Sequence, residues 1–175
     1  MQQWRIPVSH THKTYVIFDG QSDLPAYASM KTWKADDDTA FDFYDGHDLR
    51  PLADRAAEDS VKGQLRLRMS TARQAIVLVG HTTKQLAKFV AWQIELAKTA
   101  GLPIVAVNLN NARNFDVGRC PESLWKAAAV HVSFNMKIVR YALDNFPALF
   151  TSLTPLTRND RYFYSDDIYR ELGLL

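Results

Sequence analysis

Two short apolar runs, QAIVLVG at Gln74–Gly80 and LPIVAVNLN at Leu102–Asn110, enclose one segment of helical period. Both runs are rich in β-branched residues and nearly continuous, as strands buried on both faces of a parallel sheet require. Between them Leu86, Val90, Ile94 and Ala97 fall on one helical face at about 100° per residue. Thr82 and Thr83 are the candidate N-caps, and Gly101 with Pro103 close behind ends the helix. On this helix Gln93 lies roughly 60° from the centre of the buried face, and Glu95 lies on the opposite side. A strand–helix–strand unit of this kind commits the chain to a parallel sheet with crossover helices.

The flanking segments fit that commitment. Lys13–Phe18 reads as a first strand ended by Asp19-Gly20, followed by a helix over Pro25–Trp33. Ala40–Tyr44 alternates apolar and polar, which suits a half-buried edge strand. The loop 45–51 carries Gly46 and Pro51, and a helix is expected over Asp54–Ala72 with Ala57, Val61, Leu65 and Met69 in one row. An irregular stretch after Asn110 and a helical turn over Glu122–Ala128 precede a fifth strand at Ala129–Phe134. Asn135 caps a helix over Met136–Phe146, and a short helix is expected at Asp166–Leu172. Residues 1–13 form a lead-in, 14–146 the domain, and 147–175 an aromatic-rich tail that packs back on it. The alternation predicts a flavodoxin-like, doubly wound α/β fold with five parallel strands in the order 2-1-3-4-5. Ligands of such sheets bind at the carboxyl ends of the strands. That places Asp19, Gly20, the 45–51 loop, Gly80–Lys84 and the start of the third helix at the ligand end.

Composition narrows the function classes. An apolar fraction of 47% and a net charge of +2 describe an ordinary globular chain and point to neither nucleic acid nor membrane. The single Cys120 has no partner for a disulfide or zinc site, and its expected role is an inert one. No apolar run is long enough to span a bilayer, and the first residues lack a signal-peptide core, so a cytoplasmic location is expected. Asp36, Asp37 and Asp38 read as a solvated turn rather than a metal site. His131, inside a strand, is expected to be a core residue with its hydrogen bonds satisfied. His10 and His12 fall in the lead-in, leaving His47 and His81 at the ligand end. A phosphoacceptor Asp after the third strand, a dinucleotide-binding Gly loop, a P-loop and a nucleophile elbow are all missing from the sequence.

The pieces TYVIFDG, FDFYDGHDLRP, VLVGHTTK, KFVAWQIELA, PIVAVNLN and AVHVSFNMKIVRYALDNF, in this order and spacing, resemble a TIR-like domain. The similarity is to the bacterial group that includes the Thoeris antiphage sensor proteins, and it spans roughly residues 14–146. The resemblance implies an enzyme that cleaves the nicotinamide–ribose bond of NAD, with NAD as substrate and no further cofactor or metal. It also implies an ADP-ribose-derived signal, cyclic or conjugated, read by a downstream nucleotide-sensing effector. A phage-protein trigger and homo-oligomerisation through the 45–51 loop, the counterpart of the family's BB loop, are implied as well. The family's catalytic Glu stands on the third helix, four residues after an aromatic and eight before the closing Gly. Phe89 and Gly101 put that position at Gln93, within Trp92-Gln93-Ile94.

Glutamine changes the chemistry. Cleaving an N-glycosidic bond builds positive charge on the ribose, and a carboxylate stabilises it. Gln keeps the shape and can still hydrogen-bond a hydroxyl, but it carries no charge and takes no proton. The chain is therefore expected to bind NAD and turn it over poorly or not at all. It is either a Glu-to-Gln form that traps ligand, which the intact surroundings favour, or a natural binding-only member. A non-catalytic adaptor acting by self-association is the alternative, and a receiver-like small-ligand binder a third reading. Around the pocket the resemblance places Phe18, Asp19, Gly20, Asp45, His47, Asp48, Leu49, His81, Thr82, Lys84 and Phe89. Asp19 is read either as a ribose contact or as a cap of the next helix. Asp45, His47 and Asp48 are read as the nicotinamide side or as a solvated loop. Trp92 is read as a subunit anchor or as an incidental surface residue.

Overall fold

Six strands, one more than expected, form a single parallel sheet in the computed structural model, which describes residues 13–33, 41–85 and 88–175. They are β1 (Lys13–Ile17), β2 (Asp42–Tyr44), β3 (Gln74–Val79), β4 (Ile104–Asn108), β5 (Ala129–Ser133) and β6 (Arg161–Phe163). Their order is β2-β1-β3-β4-β5-β6, so the expected 2-1-3-4-5 arrangement is extended at its β5 edge. The added strand comes from the tail and runs from Arg161 opposite Ala129 to Phe163 opposite His131. At three residues it is too short to carry a periodic signal. Tertiary packing holds it, with the Tyr162 ring 5.9 Å from Phe146.

The helices are α1 (Leu24–Thr32), α2 (Arg50–Ala53), α3 (Glu58–Met69), α4 (Lys88–Thr99), α5 (Met136–Ser152) and α6 (Asp166–Glu171). Successive strand residues face opposite sides, and both sides of the central strands β3, β4 and β5 are covered, as is β1 beyond Lys13. Tyr15, Ile17, Val77 and Val79 join Val90, Ile94 and Ala97 of α4 in one apolar layer. Val16, Ile76, Leu78, Val105 and Val107 join Tyr27, Ile138, Val139 and Phe146 in the other. No helix among the described residues is long and apolar enough to cross a membrane.

Several expected boundaries move. The helix expected over 54–72 is broken, because Ala57 is extended (φ −59, ψ 133) and caps α3 rather than joining its buried row. Glu58 and Asp59 then supply the acidic first turn that a helix N-terminus favours. Among the described residues α4 runs from Lys88, while the Thr82 hydroxyl donates to Asp19 and the Thr83 hydroxyl accepts from Gly80 N. Helix α5 runs on past Phe146 to Ser152, with Phe150 packed 6.1 Å from Phe146 and extending the buried stripe. Asn135 caps it as expected, its side chain accepting from Lys137 N at 2.9 Å. The lead-in with His10 and His12, the triple Asp at 36–38, Ala40 and Leu86 lie outside the described residues.

His131 sits in the core, but not as a satisfied residue. It is fully buried, and neither ring nitrogen has a hydrogen-bond partner. Phe115 lies 5.4 Å away edge-on and Phe163 5.9 Å away. Burial first, and the Arg161 charge second, push its pKa down to about 4. Between an unfolded value near 6.5 and that folded value, the unfolded chain takes up a proton that the folded chain refuses. Stability is therefore lost as pH falls through this window. Replacing His131→Leu removes two unpaired polar atoms and this penalty. The variant is expected to gain stability over the parent at pH 8, and to gain about 2 kcal/mol more at pH 5. Urea denaturation of both chains at the two pH values measures this; a pH-independent difference would contradict it.

Candidate functional site

Phe18, Asp19 and Gly20 emerge from the carboxyl end of β1 into a cleft. One wall is α2, with the short 3₁₀ turn His47–Leu49 before it; the other is the first turn of α4. Phe18, Phe89 and Val90 form an apolar lining beside Arg50, Asp54 and Lys88, and together with Ala53 they bound a hollow of about 190 Å³. A groove of about 420 Å³ adjoins it, sharing Gly20, Arg50 and Asp54 and adding Gln21, His47 and Pro51. The cleft lies beside the switch in strand order, where open α/β sheets take their ligands.

The 45–49 loop is tightly held. Asp45 Oδ1 accepts from His47 N at 3.0 Å and also bonds the His47 ring through Nδ1. Burial works against the Asp45 carboxylate, but the hydrogen bonds to His47 hold its pKa below the usual range. Arg68 of α3 forks the Asp48 carboxylate, with Nη2 to Oδ2 at 2.8 Å, and reaches Asp45 O at 3.3 Å. That pairing holds the Asp48 pKa down as well. Gly46 is required here, since a Cβ would run into the Tyr15 hydroxyl. The Phe18 ring packs 4.5 Å from Tyr27 and 5.6 Å from His47.

On the other side of Gly20, Asp19 is buried. It accepts from Gln21 N at 3.2 Å and from the Thr82 hydroxyl at 3.0 Å. Its side chain therefore ties the β1–α1 loop to the segment after β3, while Asp23 occupies the N-cap position of α1. Thr83 accepts from Gly80 N at 2.7 Å and lies 3.4 Å from Asp23 Oδ2. Burial, then repulsion from Asp19, raises the Asp23 pKa to about 6. Gly80 is confined to glycine because the Asp23 carboxylate fills the space of a Cβ.

Gln93 stands one turn beyond Phe89 on α4 and only 2% exposed, so it does not line the cleft. Its amide is fixed at both ends. Nε2 donates to Phe89 O at 3.2 Å, and Oε1 accepts from the Tyr15 hydroxyl at 2.8 Å. Burial, then the Asp45 charge, keeps the Tyr15 phenol protonated well above its ordinary range. Glu95 is exposed and paired with Lys98 at 3.0 Å, facing away as expected.

Of the residues expected around the pocket, Phe18, Asp19, Gly20, His47 and Phe89 line the cleft. Asp45 acts on it through His47, and Thr82 through Asp19. Leu49 is buried against Val61, Leu65 and Phe89. Asp48 is turned to Arg68, and His81 is exposed and absent from the lining. Lys84 points elsewhere, donating to Val117 O at 2.8 Å and lying 5.4 Å from the Trp125 ring. Trp92 is half-buried between Lys62 (5.0 Å) and Lys88 (4.8 Å). Arg50 and Lys88 belong to segments expected at the ligand end, the 45–51 loop and the start of the third helix, but were not singled out as site residues. Asp54 and Tyr15 were not anticipated, and Tyr15 sits in a continuous apolar run that gives no sign of which face it serves. Cys120 is buried, and burial pushes its thiol up to about 12. Among the described residues no cluster of three or more His, Cys, Asp or Glu is arranged to hold a metal ion.

A family model described as "Thoeris protein ThsB, TIR-like domain" matches residues 10–114, more than half of the chain, including the whole cleft and position 93. No curated protein matches the chain.

The Tyr15–Gln93 bond has a measurable signature. Tyr15→Phe leaves the Gln93 carbonyl buried without that donor and is expected to cost about 1–3 kcal/mol. Gln93→Leu orphans the Tyr15 hydroxyl at similar cost. The double variant is expected to cost less than the sum of the two, by about 0.5–3 kcal/mol of coupling. Urea denaturation of the four chains measures it, and simple additivity would show that the two groups do not interact.

Proposed function

The chain belongs to the Thoeris ThsB TIR-like family, and from that premise we propose that it is an antiphage protein that binds NAD in the cleft between Phe18–Gly20, the 47–54 segment and the first turn of α4. The adjoining hollows of about 190 and 420 Å³ suit an elongated dinucleotide. Arg50 and Lys88 supply positive charge for a diphosphate, and Phe18, Phe89 and Val90 supply apolar surface for a ring. In this reading the family's reaction, cleavage of the nicotinamide–ribose bond to give an ADP-ribose-derived signal for a nucleotide-sensing effector, is suppressed in this chain.

The observation that carries the reading is the state of position 93. Its side chain lies one helical turn from Phe89 on the cleft wall, uncharged and tied to Tyr15. An amide there, spent on Tyr15 and Phe89, brings no negative charge toward a developing oxocarbenium ion. Binding without efficient turnover follows. A phage protein that triggers the family's response and self-association through the 45–51 loop belong to the same proposal.

Two measurements test it. NAD or ADP-ribose at millimolar concentration is expected to raise the melting temperature, because a ligand that binds only the folded state stabilises it. Gln93→Glu, nearly isosteric, is expected to raise nicotinamide release at least about 100-fold. Glu95→Gln in the same background is expected to change little. A melting temperature unmoved by NAD, together with an inactive Gln93→Glu chain in purified form and in phage-challenged cells, would instead favour a non-catalytic adaptor.

A further inference from the structure

The geometry points to His47, oriented by Asp45, as the general base that takes the proton from the hydroxyl replacing nicotinamide in this cleft. This inference rests on the NAD reading above. Three observations support it.

The first is orientation. Asp45 Oδ1 bonds the His47 ring through Nδ1 and also accepts His47 N at 3.0 Å. A carboxylate only accepts, so the proton of the neutral ring sits on Nδ1 and Nε2 carries the free lone pair. A carboxylate that fixes the tautomer of a partly exposed imidazole is the arrangement of a base and its orienting group. The second is access. The His47 side chain is 41% exposed and lines the 420 Å³ groove, while Asp45 behind it is only 12% exposed. The third is support. The ring packs 5.6 Å from Phe18 and lies beside Gly20, whose missing Cβ would stand 3.6 Å from His47 Cβ.

The other proton acceptors of the cleft are less suited. Asp19 is buried and spends both carboxylate oxygens, on Gln21 N and on Thr82. Asp54 is exposed, and no hydrogen bond among the described residues orients it as Asp45 orients His47. The charged or titratable groups around His47 are Asp45 and Asp48 of its own loop, Arg50 and Asp54 in the groove, Arg68 of α3, and the Tyr27 hydroxyl of α1 beside Asp45.

The step balances without an oxidant or reductant. The C1′–N bond breaks, and its electron pair neutralises the pyridinium nitrogen of the leaving nicotinamide. A C1′–O bond forms from water, or from a ribose hydroxyl where the product is cyclic. The proton of that hydroxyl passes to His47 Nε2 and from there to solvent.

A plainer role exists for the same contacts, because Asp45 accepting His47 N is also a turn-forming bond. Asp45→Asn weakens the ring bond selectively, since the amide oxygen can still accept the backbone N–H but holds Nδ1–H without a carboxylate's charge. The test is NMR of the full chain with ¹⁵N-labelled histidine, with and without ADP-ribose. The expected result is an Nδ1–H tautomer at His47, less populated in Asp45→Asn, and an Nε2 resonance that moves with ADP-ribose. A ring with Nε2–H, or a ring unmoved while the Gly20 amide responds to ligand, overturns the base but leaves the NAD site standing. No response anywhere in the cleft overturns both. In the Gln93→Glu chain, His47→Gln is expected to cut kcat at least about 100-fold and to flatten the acid side of its pH profile, with KM little changed. Equal kcat in the two chains would also overturn the assignment.

Discussion

Tyr15 carries a hydroxyl into the interior of a sheet covered on both faces, and the hydrogen bond it donates to Gln93 at 2.8 Å is what makes that tolerable. An unpaired buried hydroxyl costs free energy on the scale of a lost hydrogen bond, so strand and helix are held to one relative position. The same hydroxyl sets the 45–49 loop, because only a glycine at 46 fits above it. One buried polar contact thus aligns three elements: β1, which delivers Phe18–Gly20; the loop, which delivers His47; and α4, which delivers Phe89. The cleft is the gap left between them.

That arrangement separates two jobs that the family resemblance assigns to one place. The walls offer charge, apolar surface and an oriented imidazole, all accessible. Position 93 is withdrawn one turn away and engaged on both ends of its amide. A Gln is well suited to this, since it donates to Phe89 O and accepts from Tyr15 at once, and a carboxylate could only accept. The side chain therefore has a structural role of its own in this chain, whatever the chemistry of its relatives.

Much of the fold was legible from residues 74–110, because continuous apolar strands and a face-periodic helix leave few alternatives. The limits have physical causes. β6 is three residues long, too short for a periodic signal, and pairs with β5 from within the tail. The helix expected over 54–72 is interrupted by an extended Ala57, which propensity does not reveal. In the site, Phe18, Gly20 and Phe89 were legible because they sit at the ends of recognisable elements. Lys84 was misplaced because sequence position does not show that its side chain reaches over to Val117. Arg50, Asp54 and Lys88 carry no motif and become neighbours only once α2 and α4 face each other. Gln93 was located on the helix, but its burial and its Tyr15 partner, 78 residues away in sequence, depend on the packing itself.

A crystal structure of the chain with ADP-ribose would locate the ligand itself. It is expected between Phe18–Gly20, the 47–54 segment and Lys88–Val90, with a ribose hydroxyl next to His47. Ligand bound instead at the amino end of the strands, such as the hollow bordered by Lys98, Lys126 and Arg158, or no ligand at millimolar concentration, would contradict that expectation.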